Sequence, residues 1–228
     1  MLRYTYRELT TFSLVMLLLM WAFYLLDSVH GRWVEARVRS HVSDQLVQRG
    51  VGLNNALNDK ISLLYGLRSY VEVDPSPARL DREFPHIAAS LHAGSGGVRA
   101  LQLVRNGVIS HLYPFEGNET VLGHDLLGDP RPSVPRTIRH ALASDRVTLN
   151  GPLELRQGGS GLIARIPIRE GDEIWGLAAV VIDLEQLFDE AGVSFRQAGM
   201  RLSARDVEKT TFFGDPAVFK ASPAIQRV

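Results

Sequence analysis

The chain predicts an α+β fold with an antiparallel sheet, carried on an N-terminal transmembrane helix that continues into a long stalk helix. Three observations carry that expectation. Residues 9–26 run for eighteen positions without a charge. Residues 28–71 keep one apolar helical stripe. From Val98 onward, short apolar runs alternate with Gly, Pro and Asn turns, the pattern of strands and hairpins.

The uncharged run would rise roughly 27 Å as a helix, close to the hydrocarbon thickness of a bilayer. Arg3 and Arg7 precede it against a single Glu8, a positive flank that places the N-terminus in the cytoplasm. No Ala-x-Ala site follows Asp27, so the run reads as an uncleaved anchor and not a signal peptide. The expected organisation is a cytoplasmic N-terminus at 1–8, a single span at 9–26 and a stalk at 27–73. The rest is exported.

Composition narrows the function classes. The chain has no cysteine, which removes disulfides, thiol chemistry and thiolate metal sites. Removing Arg3, Arg7 and Glu8 from the 25 basic and 25 acidic residues leaves 23 and 24. A surface so balanced argues against nucleic acid as a partner, since phosphate binding draws on a basic face.

Val42, Leu46, Leu53, Leu57, Leu64 and Val71 are spaced 4, 7, 4, 7 and 7, one stripe of a helix, widened by Ile61 and Leu67. The stripe fits a core helix of the following domain and a stalk that pairs with a second copy as a homodimer, and both can hold, with the partner below and the domain above. Gly50 and Gly52 mark a bend or a close packing site in its middle. Asp74-Pro-Ser-Pro ends this helix. Ser76 as N-cap and Pro77 at the first position open a second one over 77–91.

Strands are expected at 98–104 and 108–113, joined by Arg105-Asn-Gly107. Residues 114–135 read as irregular, and 136–143 as a short helix capped by Ser133. Strands at 147–149, 161–168 and 173–182 follow, then a helix opened by Asp183. Further strands at 201–207 and 210–213 belong to a second unit.

No catalytic constellation emerges. Gln157-Gly-Gly-Ser-Gly161 lacks the second glycine of a nucleophile elbow and the Lys of a P-loop. Gly171-Asp-Glu173 is a strand turn, short of a diguanylate cyclase signature. The seven histidines show no pair at i, i+4, so no metal is expected, and no cofactor. The chemistry-bearing stretch is 113–125, where aromatic and hydrogen-bonding side chains follow a strand directly.

Those residues resemble a known family. Tyr113-Pro-Phe-Glu-Gly-Asn118, Gly123-His-Asp-Leu-Leu127, the run from Asn150 to Gly159, Ile166-Pro-Ile168 and the run from Trp175 to Asp183 are similar to the CHASE sensory domain, with Glu83-Phe84 ahead of the first strand fitting too. The resemblance implies an extracytoplasmic input module of a membrane receptor, built as two stacked PAS-like units on a long N-terminal helix. The distal PAS-like unit would be 74–192, and 193–228 the truncated start of a membrane-proximal one. Ligands in the family bind the distal unit. Its bacterial members carry diguanylate cyclase, phosphodiesterase or histidine kinase outputs, and its plant members are cytokinin receptors.

By that resemblance, the aspartate on the family's pocket wall falls at Asp125 and a neighbouring polar position at Asn150. Tyr113, Asn118, His124 and Arg165 are the other ligand-binding candidates. The chain ends at Val228, ahead of the second membrane helix and output domain of such receptors, which reads as a sensor fragment or a truncated product. The implied function is small-molecule sensing outside a bacterial inner membrane. The alternative is a ligand-free, membrane-anchored dimerisation or protein-interaction module.

Overall fold

A computed structural model describes residues 6–156, 158–193, 203–205, 209 and 211–221, with side chains in the first helix described at 11–25, 37, 40, 41 and from 43 on. The chain divides into two units, one containing residues 1–48 and the other residues 49–222. Helix α1, Tyr6–Val73, contributes to both.

In the first unit, the side chains of residues 11–25 are all exposed, Phe12 at 68% and Phe23 at 74%. Among the described residues no helix is long and apolar enough to cross a membrane. The side chains of Leu9, Thr10 and Leu26, which complete the uncharged run, lie outside the described residues.

The second unit is built on a five-stranded antiparallel sheet. Its strands are β1 (Val98–Arg105), β2 (Val108–Tyr113), β3 (Thr148–Glu154), β4 (Ser160–Glu170) and β5 (Glu173–Asp183), in the order β2-β1-β5-β4-β3. Helix α2 is Pro77–Ala93, α3 is Ser133–Ala143 and α4 is Leu184–Glu190. Two short strands, β6 (Ser203–Arg205) and β7 (Thr211–Gly214), pair with each other, and helix α5 (Val218–Ala221) follows. The strands expected at 201–207 and 210–213 coincide with these in part. Positions 201, 202, 206, 207 and 210 lie outside the described residues.

Each face of the sheet has its own core. On one face, Leu64, Leu67 and Val71 of α1 and Leu80, Phe84 and Ala88 of α2 share a buried cluster with Leu101, Leu103, Ala164, Ile166, Val180 and Ile182. Leu53, Leu57 and Ile61 pack against that cluster. The apolar stripe from Leu53 to Val71 therefore covers the sheet. Gly52 sits where an added Cβ would lie 3.1 Å from the Ala191 carbonyl oxygen, whereas Gly50 faces open space. Only Gly52 is a close-packing site. Lys60, 4% exposed, pairs with Glu190 of α4.

On the opposite face, Ala100, Val104, Ile109, Leu177 and Val181 share a second cluster with Val121, Leu126 and, from α3, Ile138 and Ala141. Alternation along the strands produces the two sets, because successive side chains point to opposite faces.

Local chemistry explains most boundaries. Asn106 and Gly107 have φ of 52° and 83°, the left-handed pair a two-residue hairpin requires. Asp183 caps α4 by accepting from the Gln186 N–H at 3.1 Å. Two caps differ from expectation. The Ser76 side chain makes no cap hydrogen bond. Its backbone N–H instead donates to Asp74 Oδ1 at 3.0 Å, and its carbonyl accepts from Arg79 and Leu80. Helix α3 starts three residues early, with Pro132 at the N-cap and Ser133 already helical. Pro132 sits at φ −59°, ψ −24°, already helical, and Pro135 occupies the first turn, where an N–H has no intrahelical partner to lose.

Strand β3 is also longer than expected. It runs past the expected 147–149 through Gly151 and Pro152, because β3 lies at the sheet edge and the register shift between Asn150 and Leu153 absorbs both residues.

Candidate functional site

Pairing across the central strands sets the floor of a cavity. Gln102 of β1 lies opposite Ala179 of β5, and Ala179 lies opposite Arg165 of β4. Cross-strand partners share a face, so the three form one row on the α3 side of the sheet. Neighbouring strands are about 4.8 Å apart. Only the single methyl group of Ala179 stands between two long polar side chains in this row, and both of those side chains line a cavity.

The cavity there has a volume of about 70 Å³. Its floor includes Gln102, Ile163, Arg165 and Val181, its edge Asn150 and Leu153 of β3, and its roof Val134 and Thr137 of α3 with His124, Leu126 and Arg131 of the preceding loop. Glu154 and Arg156, both exposed, complete its polar lining. Apolar walls joined by convergent polar groups are a usual composition of a ligand site.

The loop roof is pinned by a buried carboxylate. The Asp129 side chain has no exposure and accepts from Arg131 Nε at 3.0 Å, Arg131 Nη2 at 2.9 Å, the Arg131 backbone N–H at 2.9 Å and His124 Nε2 at 2.8 Å. The Arg131 hydrogen bonds hold its carboxyl well below the usual carboxylate range and raise the Arg131 pKa in turn.

The floor is different. Arg165 is 5% exposed, and its buried Nε has no hydrogen-bond partner. Among the described residues no hydrogen bond or ion pair reaches this guanidinium. Burial alone lowers its pKa, to about 10.

Of the six residues singled out from the sequence, His124, Asn150 and Arg165 line the cavity. Asp125 does not. It is exposed, and its Oδ1 accepts from the Leu127 and Gly128 N–H groups at 2.9 and 3.0 Å, closing a turn. Tyr113 packs against the core on the α1 face, its ring edge-on to His92 at 5.7 Å between centroids. Asn118 is 3% exposed and donates to the Pro114 carbonyl at 3.0 Å, outside the cavity lining. Gln102, Asp129 and Arg131 were not anticipated. For Gln102 the signal was present, a polar residue inside the apolar run Ala-Leu-Gln-Leu-Val.

Among the described residues no group of three or more His, Cys, Asp or Glu side chains is placed to hold a metal ion. The arrangement suits non-covalent binding of a small polar molecule.

Residues 103–212 match the family model of the CHASE domain. No curated protein matches the chain significantly. Among solved structures, the Vibrio cholerae histidine kinase DctB sensor domain is similar with a TM-score of 0.60 at 13% identity, over 79% of this chain and 68% of that one. The ligand-binding domain of the Pseudomonas fluorescens chemoreceptor CtaA in complex with L-serine gives 0.58 at 14%, over 78% and 73%. An extracellular ligand binding receptor from Desulfohalobium retbaense gives 0.51 at 16%, over 64% of this chain and only 25% of that one. At such identities the likeness is one of fold. The family match and the shared fold together support an extracellular ligand-sensing module of a receptor or kinase.

Proposed function

We propose, for a chain whose residues 103–212 match the CHASE domain, that it is the extracytoplasmic small-molecule sensor of a bacterial membrane receptor. The observation that carries this reading is the cavity between the sheet and α3, where His124, Asn150, Arg165 and Gln102 converge among apolar walls. The ligand-bound chemoreceptor domain of similar fold was solved with L-serine, a molecule small enough to suit a cavity of about 70 Å³.

In this reading residues 9–26 anchor the chain in the inner membrane with the N-terminus in the cytoplasm. The exposed apolar side chains at 11–25 support that role, since water is a poor solvent for such a surface. Residues 27–73 form the stalk of a homodimer, 74–192 the distal sensing unit and 193–228 the start of a proximal one. The output is a diguanylate cyclase, a phosphodiesterase or a histidine kinase. Ligand binds on one face of the sheet while α1 packs on the other. Binding shifts the signalling equilibrium only as far as affinity differs between two packings of that sheet on α1.

The test is thermal unfolding of the full chain in lipid nanodiscs against a library of small polar metabolites. The expected result is stabilisation by at least one compound, abolished by Ile163→Trp, which fills the cavity from its floor. If no compound stabilises the wild type, or if Ile163→Trp responds equally, the ligand-free interaction module is the better reading.

A further inference from the structure

The charge balance of the cavity narrows the ligand beyond what the sensing reading requires. Three arginines line the cavity, Arg131, Arg156 and Arg165, together with one carboxylate, Glu154. Arg156 and Glu154 are exposed, whereas Arg131 and Arg165 have contrasting surroundings. Arg131 is half exposed, and Asp129 engages its Nε and Nη2. Arg165 is 95% buried, lines the same cavity, and has no anionic or hydrogen-bonding partner among the described residues. A buried guanidinium is normally retained with a carboxylate or an array of acceptors, because leaving it unpaired forfeits its hydration without replacement.

Its neighbours do not supply that partner. Ala179, beside it in the row, offers only a methyl group, and Asp129 is saturated by Arg131 and His124. Glu154, the carboxylate in the cavity lining, is exposed and forms no ion pair with Arg165 among the described residues. Gln102 on the far side of Ala179 makes no side-chain hydrogen bond among the described residues. A neutral amide that lines the same cavity is therefore open to a second polar group on whatever occupies it.

We infer that the ligand is a small carboxylate, its two oxygens held in a fork by the Arg165 guanidinium and its polar end by Gln102 and Asn150. A planar guanidinium and a planar carboxylate match in shape as well as charge. The cavity, about 70 Å³ and lined by both Gln102 and Arg165, has room for a few heavy atoms, which selects compact acids over nucleotides or long peptides. This ligand class rests on the sensing role of the same cavity.

The experiment measures thermal midpoints of the full chain in nanodiscs with paired probes at constant chloride. Acetate, lactate, succinate and L-alanine are each compared with the corresponding amide, for wild type, Arg165→Gln and Arg165→Lys. At least one carboxylate should raise the wild-type midpoint and its amide should not. Arg165→Gln should lose that response and should itself raise the unliganded midpoint, because a neutral amide replaces an unpaired buried cation. Arg165→Lys should keep the charge but weaken the response, having lost the fork.

A purely structural arginine would give the opposite sign for Arg165→Gln without ligand, and that result overturns the inference. So does a carboxylate response that survives Arg165→Gln, or the absence of any carboxylate response in the wild type. Stabilisation by amides or other neutral compounds in that last case would leave the sensing role intact and remove only the ligand class. A response to no compound of either kind removes both.

Discussion

Replacing Leu64 with alanine tests the packing on which any signal through α1 depends. Leu64 is 0% exposed and lies in the same buried cluster as Phe84, Leu103 and Ile166, between helix and sheet. The substitution deletes three carbons, each contributing about 0.8 kcal/mol by burial, or roughly 2.4 kcal/mol. The cavity left behind brings the cost to about 3–4 kcal/mol, within the range for buried Leu→Ala changes. For a protein of this size that corresponds to a fall in midpoint of about 10 °C. Val51, on the same helix but 54% exposed, is the control. Val51→Ala should cost nothing, because little surface is lost and alanine is the better helix former. Unfolding followed by fluorescence reads the right unit, since Trp175 belongs to the same cluster as Leu64. A drop of less than about 2 °C for Leu64→Ala, far below the burial estimate, would refute the packing of α1 on this face.

Asp129→Asn should lower the midpoint at neutral pH by loosening the loop that roofs the cavity. Its carboxyl is depressed in the folded chain, so its stabilisation is fully present above the ordinary carboxylate pKa of about 4 and is lost as pH falls through the lower folded value. The gap between wild type and Asp129→Asn should therefore close in acid, and a gap independent of pH would assign the effect to something other than the charge. Gly50→Ala should stabilise the chain by about 0.5–1 kcal/mol, since the site is open and alanine is the better helix former. Gly52→Ala should give less or reverse the sign, because its Cβ would press on the Ala191 carbonyl at 3.1 Å. Urea midpoints of the two variants side by side decide the point.

The elements of the second unit were legible because their signals are local. Asn106-Gly107 announced a hairpin, Asp183 a helix start, and the spacing from Leu53 to Val71 the face of α1 that meets the sheet. The readings that missed turned on neighbours distant in sequence. Gly151-Pro152 breaks a central strand but not an edge one, and edge position is a property of the assembled sheet. Asp125 and Asp129 lie four residues apart in one irregular loop, and nothing local says that the first closes a turn while the second is buried against Arg131 and His124.

The same division runs through the cavity. By itself the sequence determined that Arg165 and Gln102 are polar residues inside apolar strands, and strand parity determined which neighbours share their faces. It also determined an N-terminal apolar run too long for an ordinary globular surface and a helical stripe that had to be covered. Only the tertiary structure decided that β5 lies between β1 and β4, which brings Gln102, Ala179 and Arg165 into one row, and that Tyr113 belongs to the opposite face. The reason is physical. Periodicity is written in a segment's own residues, whereas strand order and register come from long-range burial, and an unpaired charge is recognised only once all its neighbours are in place.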